Sequence, residues 1–165
     1  MNKLDISILK KKNFEPIDFI ASTTAKKYNI DNNIYDPAIL KNLERTANKA
    51  QEIRNLLKTP VKINSGYRCL ELNRKVNGKD TSQHTKGQAI DFYCPNLIDN
   101  KFIILYLQEL NLEVDQCLME ESWIHLSIKE TGNRNQFAYY LPDKTGKRKL
   151  VILPIRKPKP SPRVI

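Results

Sequence analysis

The sequence predicts an α+β domain in which a small, mainly antiparallel sheet packs against helices. Three observations carry that expectation. A stretch over residues 36–57 repeats apolar residues with a 3.6-residue period. A second apolar helical pattern covers residues 99–110. Around it lie short runs at 61–67, 87–94, 114–121 and 122–128 that read as strands, with alternation in "VKINSGY", "GQAIDFYC" and "SWIHLSI". At 165 residues the chain has room for one real core and not for two.

Each element follows from local chemistry. Residues 1–35 read as an irregular segment packing on the rest, with short helical turns in "PIDFIASTTAKKYNI". Asp36 can cap the long helix, and Pro37 suits its first position, where a missing N–H costs nothing. Ile39, Leu40, Leu43, Ala47, Ala50, Ile53, Leu56 and Leu57 form its apolar stripe, and Pro60 ends it. "VKINSGY" is a short strand, and "CLELNRKVNG" a short helix closed by Gly78. In "GQAIDFYC", alternation sends Ala89, Asp91 and Tyr93 to one face and Ile90, Phe92 and Cys94 to the other. Asp99 can cap "DNKFIILYLQEL". "VDQCLMEE" and "SWIHLSI" pair through a tight connection. The domain is expected to span 1–150, followed by a basic, Pro-rich tail over 151–165 without packed structure of its own.

Composition narrows the function classes. The chain is 40% hydrophobic and 28% charged, as globular domains are. No apolar run approaches the ~20 residues of a membrane span, so membrane insertion is not expected. "MNKLDISILKKKNFEP" has neither an apolar core nor a small-residue cleavage site, which predicts synthesis in a cytoplasm without a signal peptide. The cysteines, Cys69, Cys94 and Cys117, are odd in number and form no CxxC pair, which argues for reduced thiols and against a cysteine zinc site. A net charge of +10 suits an anionic partner surface, or else reflects solubility and a coding bias toward Lys and Asn. No RNA-binding motif or zinc finger accompanies the charge, so no specific nucleic acid is expected.

The chain holds only two histidines, and both sit beside carboxylates. His84 stands in a turn-rich stretch before a strand. Asp91 follows mid-strand between Ile90 and Phe92, where a carboxylate is part-buried and needs a partner or a metal. In "SWIHLS", alternation places Trp123, His125 and Ser127 on one face, away from Ile124, Leu126 and Ile128. Two histidines and a carboxylate make a three-ligand zinc set with an open fourth position. Glu120 and Glu121 lie just upstream, where a general base would be needed.

"INSGYRCLELNRKVNGKDTSQHTKGQAIDF" closely resembles the pattern SGYR-x-x-x-LN-x-x-V-x-G-x-x-x-SxHxxGxAxD of the M15 zinc peptidases. These are D-alanyl-D-alanine carboxypeptidases and L-alanyl-D-glutamate endopeptidases with the hedgehog/DD-peptidase fold. "DQCLMEESWIHLS" resembles their second block, DQ-x-x-x-E followed by WxHxS. "NFEPIDFIASTTAKKYNIDN" and "NRNQF" resemble segments of the subgroup that includes phage and prophage wall peptidases.

The resemblance implies that His84, Asp91 and His125 bind Zn2+. It implies that Arg68 holds or polarises a substrate carbonyl or carboxylate, and that Ser82 contacts substrate or supports a ligand. Gly87 would permit the turn between the ligands, and Trp123 would wall the cleft. Asp115 and Gln116 would orient a metal-bound histidine. A salt bridge for Arg68, a plain turn role for Ser82 and a core role for Trp123 are the competing structural readings. The general base falls on Glu120 when counted from "DQ". Counted back from "WIH", the gap is one residue short, other members' acid position is Ser122, and Glu121 stays open.

The implied function is a peptidase cutting peptidoglycan stem peptides by glutamate-assisted attack of a zinc-bound water. It would act at the bacterial wall or periplasm as an endolysin-like or virion-associated enzyme, with the charge favouring an anionic envelope surface or virion proteins. The alternative is a non-catalytic, metal-binding structural or wall-docking module of a phage particle. Neither the bond cut nor the oligomeric state is written in these motifs.

Overall fold

The computed structural model describes residues 2–154 apart from Ile98, Glu121 and Asp143. The N-terminal segment packs through its few large apolar side chains. Leu9, Phe14, Phe19 and Ile34 are buried in the main core, although the segment holds only 3-10 turns at Ser7–Leu9 and Pro16–Phe19 and a short helix, α1 (Thr23–Tyr28). Ser22 caps α1 by accepting from the Ala25 N–H.

The periodic stretch forms α2 (Pro37–Leu57), with Asp36 accepting from the Ala38 N–H. Leu43, Ala47, Ala50 and Ile53 are buried along one face, as the stripe requires. Its end differs from expectation. Lys58 takes the left-handed conformation at φ 52°, so the helix stops before Pro60 can break it. The next short helix, α3 (Leu70–Lys75), behaves alike: Asn77 rather than Gly78 is left-handed, at φ 59°. Cys69 caps α3, its Sγ accepting from the Leu72 N–H.

Six strands make one sheet in the order β1-β2-β4-β3-β5-β6 among the described residues. Here β1 is Lys62–Ser65, β2 Ala89–Tyr93, β3 Gln116–Met119, β4 Ile124–Ser127, β5 Gln136–Pro142 and β6 Arg148–Ile152. All pairs are antiparallel except β3 with β5. The sheet is therefore larger than expected. The strands β5 and β6 lie beyond the four expected, where "FAYYL" and "KLVIL" flank the turn residues "DKTG". The last strand runs to Ile152, and Leu153 donates its N–H to the Phe137 carbonyl, inside the stretch read as tail. Residues 155–165, the rest of that tail, lie outside the described residues.

One face of the sheet is the core. Ile90, Phe92, Ile124, Leu126 and Cys117 bury against α2 and against α4 (Asn100–Glu109), capped by Asp99 through the N–H groups of Lys101 and Phe102. Burial pushes the Cys117 thiol up and the Cys94 thiol to about 11, so both stay inert. The other face carries Asp91, Leu118 and His125 toward an open cleft.

Asp115 closes the loop between β4 and β5. Its fully buried carboxylate accepts from the Nε and Nη2 of Arg134, the Arg134 N–H and Gln83 Nε2, and pairs with Lys129 Nζ at 2.9 Å. Burial alone would raise this carboxyl, but Arg134 and Lys129 outweigh it and hold it well below the usual range. A depressed folded-state pKa contributes stability that is present above the unfolded value of about 3.9 and fades as pH falls below it. Asp115→Ala should therefore cost about 3 kcal/mol at pH 7. In urea unfolding the gap to wild type should narrow by about 1.4 kcal/mol per pH unit below about 3.9; a pH-independent gap would contradict this account.

Candidate metal centre

The site is built from one strand pair and one turn. In the β2–β4 ladder Asp91 stands directly opposite His125, so both side chains leave the same face of the sheet. His84 arrives from a 3-10 turn at Gln83–Lys86. Ser82 opens that turn, its Oγ accepting from the His84 N–H, and Gly87 closes it at φ 68°. A Cβ on Gly87 would meet the Ile39 carbonyl of α2 at 2.6 Å, so only glycine lets the turn lie against the helix. The long helix also clasps it: Asn42 Nδ2 donates to the Lys86 carbonyl at 3.0 Å, and Thr46 Oγ1 to the Gly87 carbonyl at 2.9 Å.

Three donor atoms converge. His84 Nε2 lies 3.3 Å from His125 Nδ1 and 3.2 Å from Asp91 Oδ1, and His125 Nδ1 lies 3.0 Å from Asp91 Oδ1. A tetrahedral ion with bonds of about 2.0–2.1 Å sets its ligands about 3.3–3.4 Å apart. The observed triangle is close to that edge length. The protons fit too. His84 Nδ1 donates to the Gly66 carbonyl at 2.7 Å, which fixes the tautomer and leaves a lone pair on Nε2. At most one proton, on His125 Nδ1, then serves three electron-rich atoms facing each other, so the set favours a cation. Burial pushes the His84 imidazole down, toward the neutral form that binds metal. Burial would raise the Asp91 carboxyl, yet its contacts with His125 and His84 prevail and hold it well below the usual range.

Arg68 approaches from the β1–α3 connection. Its Nη2 donates to Asp91 Oδ2 at 2.8 Å and its Nε to Ser65 Oγ at 2.9 Å. The guanidinium thereby turns the carboxylate so that Oδ1 alone faces the histidines. This is the salt bridge of the competing reading, but part-buried and inside the site. Arg68, Ser82, Leu118, Glu120 and Trp123 line a cleft of about 300 Å3 around the three ligands. Glu120 is at the β3–β4 turn, its N–H donating to the Trp123 carbonyl at 2.9 Å. Glu121 lies outside the described residues.

A family model described as peptidase M15 matches residues 12–127. The chain belongs to the peptidase M15 family. The match ends at the last residue of β4 and includes all three donors. No curated protein matches the chain. Membership fits a donor set of two imidazoles and one carboxylate with a position left open. No described helix is long and apolar enough to cross a membrane.

Asp115 bonds Arg134, Lys129 and Gln83, and Gln116 Nε2 donates to Gln136 Oε1 at 2.5 Å, so neither orients a histidine through a hydrogen bond among the described residues. The groups that hold the histidine instead are the Gly66 carbonyl and, through the turn, Thr46 and Asn42. Gly66 must be glycine because a Cβ there would collide with the Phe19 carbonyl. Only its place beside Arg68 in "SGYR" hinted at a role.

Metal binding should be measurable as stability. Zinc at a thousandfold excess over its Kd should stabilise the chain by about 4 kcal/mol. The melting temperature should rise accordingly, fall back with chelator, and respond weakly in His84→Ala. A melting temperature indifferent to zinc and to chelator would remove the metal centre.

Proposed function

We propose that the protein is a zinc-dependent peptidase that cleaves peptidoglycan stem peptides. The observation that carries this reading is the His84–Asp91–His125 triangle opening into a cleft that also holds Glu120, in a chain of the peptidase M15 family. Zinc, when bound, supplies a Lewis acid and a water of lowered pKa. His84 and His125 would hold it through Nε2 and Nδ1, and Asp91 through Oδ1. The Glu120 carboxylate accepts the proton of the attacking water and returns it to the leaving nitrogen. Arg68 keeps Asp91 turned toward the histidines and, at the cleft wall, offers a fixed positive charge to a carbonyl oxygen as negative charge develops there. Ser82 and Trp123 line the substrate's path.

The net charge of +10 suits an anionic envelope, and an endolysin-like or virion-associated wall hydrolase is the biological role we assign. One observation favours the alternative, a non-catalytic metal-binding module: the Arg68 charge is already compensated by Asp91.

Digestion of purified peptidoglycan separates the two. The zinc-loaded protein should release free amines, and mass spectrometry of the muropeptides should show one bond cut. Glu120→Gln should lower kcat by about 100-fold or more while retaining zinc, since a positioned base contributes about that much. No amine release by the zinc-loaded wild type would leave the non-catalytic module as the reading.

A further inference from the structure

Beside the metal cleft lies a wider cavity of about 610 Å3, and Arg68 lines both. Its floor is β1, contributing Ile63, Asn64 and Ser65. This strand ends the sheet and pairs only with β2. Among the described residues no backbone hydrogen bond reaches Lys62–Ser65 from outside the sheet. One wall is α1 with Thr23 and Thr24, and the other is Leu72 of α3 with Val76 just beyond the helix. The two helices are tied by Ala25, Ile30 and Leu72, so the walls are fixed relative to each other. The N-terminal segment is anchored to the site as well, since Tyr67 donates its N–H to the Phe19 carbonyl.

An open strand edge recruits an extended chain, which adds its own backbone hydrogen bonds and sets alternate side chains into flanking pockets. Here the flanks offer the hydroxyls of Ser22, Thr23 and Thr24 with the charges of Asp18 and Lys26 on one side, and aliphatic surface on the other. Four residues of β1 at about 3.3 Å each give a track about 13 Å long that leads to Arg68 and the metal triangle. We propose that this cavity is the subsite for the part of the substrate peptide beyond the scissile bond, held extended along β1. The occupant's identity rests on the peptidase reading above. The subsite makes the enzyme selective for substrates with several residues on that side of the cut.

The test uses the zinc-loaded, 15N-labelled full chain carrying Glu120→Gln, titrated with stem peptide released from purified peptidoglycan. Amide shifts should appear at Ile63, Asn64, Ser65, Thr23 and Thr24. In the otherwise wild-type enzyme, Thr24→Trp and Val76→Trp fill the cavity from opposite walls. Each should lower kcat/KM on stem peptides tenfold or more, with zinc content and melting temperature unchanged; the two check each other if one fails to fold. Shifts confined to the cleft around Glu120, or Trp variants that turn over like wild type, would overturn the subsite. If the wild type cleaves nothing but the β1 amides still shift, the peptidase reading fails and the peptide-binding groove stands. If neither occurs, both fall.

Discussion

Asp91 and His125 face each other across the β2–β4 ladder, and a one-residue slip of either strand would turn its site residue into the core and part the pair. The slip is blocked from behind. Ile90, Phe92, Ile124 and Leu126 alternate with the site residues and fill the space against α2 and α4. The same hydrophobic burial that stabilises the domain therefore sets the register of the metal site. Asp91 then stands part-buried with a negative charge, and the fold compensates it with His84, His125 and Arg68 around one carboxylate.

His84 reaches that carboxylate from a different part of the chain, and α2 makes this geometry repeatable. Thr46, a hydroxyl on an otherwise apolar helix face, holds the Gly87 carbonyl, while Gly66 holds the ring from the β1 side. Two glycines are needed because two backbones must come closer than a side chain allows. The N-terminal segment presses on Gly66 through the Phe19 carbonyl, so a stretch with little regular structure helps to define the site.

The parts of the structure legible in the sequence were those set by local periodicity or by scarcity. The stripe of α2, the face assignments of β2 and β4 and the cap of α4 follow from spacing. The metal donors stood out because the chain has two histidines, each near a carboxylate. Partner identity was not legible. Asp115 was expected to orient a metal-bound histidine, but that its partners are Arg134, Lys129 and Gln83 depends on how the 129–134 loop returns to β3. Thr46 was not expected at the site, because its partner, the Gly87 carbonyl, lies far along the chain. The strands β5 and β6 carry a local hairpin signal, whereas the parallel pairing of β3 with β5 is non-local and has no local signature. The β1 groove was invisible for the same reason, since α1 forms its wall from a distant part of the chain.

The central claim is that His84, Asp91 and His125 together hold a zinc ion beside Glu120. X-ray absorption at the zinc edge of the loaded protein tests it most directly. The account predicts two imidazole shells and light oxygen donors, all at about 2.0–2.2 Å, with the imidazole signal halved in His125→Ala. A sulfur shell at about 2.3 Å, or zinc washed off with no imidazole signal, would contradict it.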